Sequence, residues 1–203
     1  MFIIGLTGGI ACGKSAVADE FRNYGAATLD IDRITHRLLK PGGELFSTYV
    51  QHFGEKIINE EGKLDRKAVG EIIFKNVNER QWINSVAHPV ILNRVRDFLV
   101  KCSERGDALV ILEIPLLFEA GWEFLVDETW AVYVSRKMQF WRLMNRDKIT
   151  REQAKIRIDA QMSPEEIAKR ADVAIDNNKK SHGHIRKFIL DYLVKKFVTI
   201  PFN

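Results

Sequence analysis

Short apolar runs and helix-spaced apolar stripes follow one another along this chain. Phe2 to Leu6 is too short for an independent helix and rich in Ile, which predicts a buried strand; Ser15 to Phe21 then carries Val17, Ala18 and Phe21 at helical spacing. Ala26 to Leu29 predicts a second strand ending at Asp30-Ile31-Asp32, followed by a helix through Leu39. Lys40-Pro41-Gly42-Gly43 breaks the pattern, and helical spacing resumes over Leu45 to Phe53, Arg66 to Phe74 and two segments around His88-Pro89. Ala108 to Ile114 and Glu128 to Val134 read as strands. Val173 to Ile175 reads as a last strand before Asp176-Asn177-Asn178, and Ile185 to Phe197 closes the chain as a helix. Strands alternating with helices argue for a parallel α/β sheet covered on both faces, with functional groups beyond the strands' C-terminal ends. The glycine-rich loop, Asp30, Asp32 and Glu113 all fall at such ends.

That loop is the first candidate for chemistry. Residues 8 to 15 read GGIACGKS, which fits Gly-x-x-x-x-Gly-Lys-Ser between a strand and a helix. Glycines let the backbone curl its N–H groups around a phosphate chain, and the helix starting near Gly13 adds its own exposed N–H groups. Lys14 adds a full charge at the β and γ phosphates, and the Ser15 hydroxyl is a ligand for Mg²⁺. Nucleoside triphosphate binding follows. The loop alone allows a kinase, an ATPase, a GTP switch or a motor.

Composition narrows the setting. No apolar run approaches the roughly 20 residues needed to span a bilayer. The opening apolar segment runs straight into the glycine loop, without a basic leader or cleavage site, so a soluble cytoplasmic protein is expected. Cys12 and Cys102 form no close pair or metal-spaced cluster. For Cys12 two readings stand: a thiol acidified by nearby N–H dipoles, or a small loop residue without redox role. The formal charge of +4 is local: residues 136 to 157 hold eight Lys or Arg against two acids, leaving 23 basic and 25 acidic residues elsewhere. Beside a phosphate loop, that segment reads as a lid closing on phosphates, in preference to a solvated face or a nucleic-acid patch.

Asp30 and Asp32 narrow the chemistry. At a strand edge alternate residues share a face, so both carboxylates are placed for a cleft unless the coming helix rotates the second. One would orient Mg²⁺-bound water and the other accept a proton; the alternative for Asp30 is a helix cap.

With these residues in place, the sequence resembles the dephospho-CoA kinase family along nearly its whole length. The resemblance is carried by GLTGGIACGKS, LDIDRITHRLL, AHPVI at 87 to 91, PLLFEAG at 115 to 121, RLMNRDKITREQAKIRIDAQM at 142 to 162 and ADVAIDNN at 171 to 178. It implies a three-layer P-loop kinase fold over residues 1–203, with a parallel central sheet, a helical acceptor-binding insertion at about 40–105 and a basic lid at about 136–165. It further implies ATP-dependent phosphorylation of the ribose 3′-hydroxyl of dephospho-CoA, giving coenzyme A and ADP, with ATP and Mg²⁺ as cofactors. No nucleic-acid or membrane partner and a monomer or weak homo-oligomer are expected.

By the same resemblance Asp32 matches the acid facing the reacting hydroxyl, and Asp30 lies nearer Mg²⁺ with Ser15. Gly9, Ala11, Cys12, Gly13, Lys14, Ser15 and Ala16 surround ATP. Arg142 and Arg146 match the lid, sharing one helix face as i and i+4. The family loop commonly reads GGIGSGKST, so Ala11, Cys12 and Ala16 here replace a glycine, a serine and a threonine. His88 is read as an acceptor contact or as a histidine at a helix break, satisfied by backbone. Glu113 is read as a strand-end cap or a member of the Mg²⁺ shell, and Asn177 as a reader of adenine or as turn chemistry.

Overall fold

A computed structural model describes residues 1–178 and 182–197. The chain forms two compact units, Met1–Leu29 with Cys102–Asn203, and Asp30–Lys101.

The first unit is built on a five-stranded sheet of order β2-β3-β1-β4-β5, with β1 at Phe2–Thr7, β2 at Ala27–Asp30, β3 at Leu109–Glu113, β4 at Glu128–Tyr133 and β5 at Val173–Asp176. All strands run parallel. Ile4 stands opposite Ile111 on one side and Glu128 on the other. Every residue of β3 is buried, as expected of a strand covered on both faces, which is why its sequence LVILE shows a run instead of an alternation. Helix α1 (Lys14–Asn23) buries Val17, Ala18 and Phe21. The Phe21 ring meets Trp130 of β4 edge-on at 5.1 Å between centroids. From the other end of the sequence Ile185 and Ile189 of the last helix, His182–Phe197, join that core.

After β4 come three helices, Arg136–Asp147, Arg151–Asp159 and Pro164–Arg170, the first two carrying the basic segment. Leu143, Ala154 and Ile158 form a small core of their own between the first two. Lys148, at φ 53°, ends the first of these, and Thr150 starts the second with a reciprocal capping box to Gln153. The charge run thus hides a folded helical hairpin.

The second unit is helical: α2 (Ile31–Leu38), α3 (Glu44–Phe53), α4 (Arg66–Lys75) and most of α5 (Val77–Arg105). Ile31, Ile34 and Leu38 are the buried stripe of α2. His52 of α3 stacks on Trp82 of α5 at 3.6 Å between ring centroids, and Tyr49 and Phe53 close the cluster. The unit begins at Asp30, ten residues before the insertion expected at about 40–105, because α2 already packs on α3.

Two sequence expectations change here. The segments on either side of His88-Pro89 are one 29-residue helix with Pro89 inside it. Proline in a helix interior costs about 3 kcal/mol or more. Ala87, Ile91 and Val95 are nearly fully buried on one face across the proline, and burying aliphatic side chains at about 1.5–3 kcal/mol each offsets it. Nor do Asp30 and Asp32 share a strand face, since β2 ends at Asp30 and α2 starts at the next residue.

Candidate active site

The loop between β1 and α1 shows why its glycines are required. Gly8 has φ 145°, and a Cβ there would run into the carbonyl oxygen of Val132. Gly13 has φ 95°, and a Cβ there would strike the amide nitrogen of Asn177. Gly13 is also the N-cap of α1 and offers no side-chain cap, so the first-turn N–H groups are left to an incoming anion. The exposed Ser15 stands in that turn with Lys14 and Ala16. Lys14 Nζ donates to the carbonyl of Gly8 at 2.6 Å and of Gly9 at 3.4 Å, so the ammonium rests against the loop it serves.

Ala11 adopts φ 61°, a left-handed conformation that costs a residue with a β-carbon roughly 1–2 kcal/mol. Ala11→Gly releases that strain against a backbone-entropy cost of about 0.5–1 kcal/mol. The expected outcome is a net gain of up to about 1.5 kcal/mol, read as a higher urea midpoint at unchanged slope.

The loop is held from outside by the basic segment. Arg142 donates to the carbonyl of Cys12 at 3.3 Å and to that of Asn177 at 2.8 Å. Asn177 Nδ2, buried, donates to the same Cys12 carbonyl at 2.8 Å. Gln139 and Gln161 grip the two backbone groups of Ile10: Gln139 Nε2 donates to its carbonyl at 2.9 Å, and its N–H donates to Gln161 Oε1 at 2.7 Å. Sequence reading passed over both glutamines. They lie 129 and 151 positions from Ile10, and a neutral amide in a basic helical stretch carries no local signal.

Arg146, one turn beyond Arg142, pairs instead with Asp147 at 2.7 Å. Asp147 also receives Arg157 at 2.6 Å, and Arg146 with Arg157 holds its carboxyl below the usual carboxylate range. Cys12 is fully buried, and burial pushes its thiol up despite the opposing charges of Lys14 and Arg142. An acidified, oxidation-prone thiol is therefore not what the loop makes. The Cys12 N–H is used within the loop, donating to the Gly9 carbonyl at 3.2 Å. Glu113 is buried at the C-terminal end of β3.

In the second unit Asp30 is the N-cap of α2, accepting from the Arg33 N–H at 3.0 Å. Asp32 stands exposed in the first turn of that helix. His88, half-buried, sits within unbroken α5, so the helix-break reading of it falls, and burial pushes its pKa down. Among the described residues no group of three or more His, Cys, Asp or Glu is placed to hold a metal ion unaided. No helix among them is long and apolar enough to cross a membrane.

A parallel sheet whose first strand enters a Gly-x-x-x-x-Gly-Lys-Ser loop and a helix defines a P-loop nucleotide-binding fold. A shikimate kinase from Bacteroides thetaiotaomicron, 17% identical, shares that fold with a TM-score of 0.52 over 95% of this chain and 98% of its own. The match sharpens with closer relatives. The dephospho-CoA kinase family profile covers residues 2–182. A dephospho-CoA kinase of Carboxydothermus hydrogenoformans is 44% identical over 87% of this chain and 85% of its own. The solved dephospho-CoA kinase of Campylobacter jejuni is 30% identical, with a TM-score of 0.66 over 95% and 96% of the two chains. The chain belongs to the dephospho-CoA kinase family, and it uses ATP to phosphorylate dephospho-CoA in coenzyme A biosynthesis.

Proposed function

We propose the following division of labour for that reaction, with the ribose 3′-hydroxyl as acceptor. The observation that carries it is the loop from Gly8 to Ser15, curled at the head of α1 and braced by Arg142 and Asn177. Backbone around Gly9, Ala11, Cys12, Gly13 and Ala16 cradles the ATP phosphates. Lys14 leaves its carbonyl partners for the phosphate charge, Arg142 follows the same phosphates, and Asn177 serves ATP through the loop it braces. Residues 136–165 act as the lid, and the insertion of about 40–105 receives the acceptor. Asp32 aims and deprotonates the hydroxyl, and His88, neutral near pH 7, contributes to the acceptor side.

Mg²⁺ would be held by the Ser15 hydroxyl with Asp30 and the phosphates themselves, which suits a cation that commonly keeps waters and takes one or two carboxylates; bound there, it neutralises phosphoryl charge. Asp30 retains an oxygen beyond the one that caps α2. A cytoplasmic monomer or weak homo-oligomer, without a nucleic-acid or membrane partner, completes this reading.

The direct test is to incubate the protein with Mg²⁺, ATP and dephospho-CoA and locate the new phosphate by mass spectrometry and NMR, with AMP, adenosine and shikimate as rival acceptors. Phosphate at the 3′-oxygen is expected. A 2′-phosphate, or preference for a rival, overturns the reading.

The two lid arginines should separate. Arg142→Ala removes a side chain already on the loop, so a fall in kcat of roughly 10²-fold is expected, the size of a lost charged contact made in the transition state. Arg146→Ala should cost less, because that guanidinium must first leave Asp147. Steady-state kinetics with both substrates saturating decide it. Equal kcat for both variants and wild type would reduce the pair to surface charge.

A further inference from the structure

The second unit pairs some of its cations with carboxylates and leaves others without one, among them a group on α2 and α4. Lys63 pairs with Glu61 and Arg94 with Glu44. Arg33 and Arg37 of α2 and Arg66 at the start of α4 have no carboxylate partner among the described residues, although acids stand next to them in sequence. Two of those acids cap helices. Asp30 caps α2, and Asp65 caps α4 by accepting from the N–H groups of Lys67 and Ala68 at 2.9 and 3.1 Å.

Arg66 is aimed at an imidazole instead. Its Nη1 donates to His36 Nε2 at 2.6 Å. A guanidinium has only donors, so Nε2 is the unprotonated nitrogen and the ring's proton is on Nδ1. His36 in turn is four residues after Asp32 on α2, on the same helix face and one turn of about 5.4 Å further along. Arg33 is three residues before His36 and four before Arg37, so a short basic strip runs beside the proposed acceptor carboxylate.

The acceptor supplies the matching anion. In dephospho-CoA the ribose that offers its 3′-hydroxyl also carries, on its 5′-carbon, a diphosphate with two negative charges at neutral pH. A hydroxyl brought to Asp32 takes that diphosphate along the same helix. We infer that Arg66, oriented by His36 and assisted by the field of Arg33 and Arg37, is the diphosphate-recognition subsite of the acceptor. A planar fork of N–H donors suits adjacent phosphate oxygens, and its exchange from imidazole to phosphate gives the cation an anionic acceptor in place of a neutral one. The subsite rests on the assignment of Asp32 to the acceptor hydroxyl and selects acceptors bearing a 5′-diphosphate over bare nucleosides.

The test compares two acceptors in each enzyme, dephospho-CoA and adenosine, which lacks the diphosphate. Adenosine is read both as substrate and as a competitive inhibitor against dephospho-CoA. Arg66→Ala should lower kcat/KM for dephospho-CoA by roughly 10- to 100-fold, mainly through KM, the range for losing a charge-assisted contact. Adenosine's kcat/KM and inhibition constant should stay as in wild type. Arg66→Lys should recover part of the loss, and His36→Ala should cause a smaller one with the same acceptor dependence. The dephospho-CoA KM of Arg66→Ala should also rise less steeply with salt than that of wild type. An unchanged dephospho-CoA KM overturns the subsite. So does an equal loss with both acceptors, which would make Arg66 a fold or hydroxyl-positioning residue. Full activity of Asp32→Asn would instead overturn the acceptor-base assignment, whatever the acceptor ratio of Arg66→Ala.

Discussion

Lys14→Ala is expected to lower kcat by roughly 10²- to 10³-fold, the usual loss on removing one preorganised group from developing phosphoryl charge. The ammonium lies half-buried against two loop carbonyls, filling no core. Its loss leaves those carbonyls within reach of water, at a net cost of about 0.5–1.5 kcal/mol for an ordinary hydrogen bond and more for one from a charged donor. A melting curve and a nucleotide-binding titration run beside the assay separate the effects. Near-wild-type turnover by a folded variant removes the loop from catalysis altogether. A fall in Tm large enough to unfold the protein at assay temperature would show that Lys14 holds the loop together instead.

The physical reason that this loop was legible in sequence is that its chemistry is local. Eight consecutive residues set the backbone curl, the helix start and the charge, and the positive φ angles at Gly8 and Gly13 fall where glycine stands. Strand placement was legible for a related reason. LVILE in β3 and FIIGLT in β1 are buried over most of their length, and such runs, bounded by polar or glycine-rich turns, have few alternatives.

What stayed hidden depends on distance. Nothing near Gln161 in sequence says that it accepts from Ile10, and nothing near Arg142 says that it reaches the carbonyls of Cys12 and Asn177. Pro89 misled for the opposite reason: a strong local rule was outweighed by one apolar face continuing through Ala87, Ile91 and Val95. The basic segment also gave little sign of the Leu143, Ala154 and Ile158 core, because eight Lys and Arg over residues 136–157 resemble a solvated helix.

Asp32→Asn should lower kcat by roughly 10²- to 10⁴-fold, the range for a positioned acid–base group, with nucleotide binding largely retained. A ribose hydroxyl is a weak nucleophile, and a carboxylate both aims it at the γ-phosphorus and takes its proton late in a largely dissociative transfer. Asparagine keeps the size and a hydrogen-bond acceptor and removes the charge. Asp32 is exposed in the first turn of α2, where its charge stabilises the helix by about 0.3–1 kcal/mol, and a melting curve run beside the assay shows whether the variant keeps its fold. Asp30→Asn is the matched control. Asparagine caps helices about as well as aspartate, so the bond to the Arg33 N–H survives while the charge proposed to sit near Mg²⁺ is lost. That variant should therefore show a raised Mg²⁺ requirement, with much of its kcat recovered at saturating Mg²⁺. If Asp32→Asn turns over normally while Asp30→Asn abolishes the chemical step even at saturating Mg²⁺, the two roles are exchanged. If both are normal, proton transfer in this enzyme does not pass through either carboxylate.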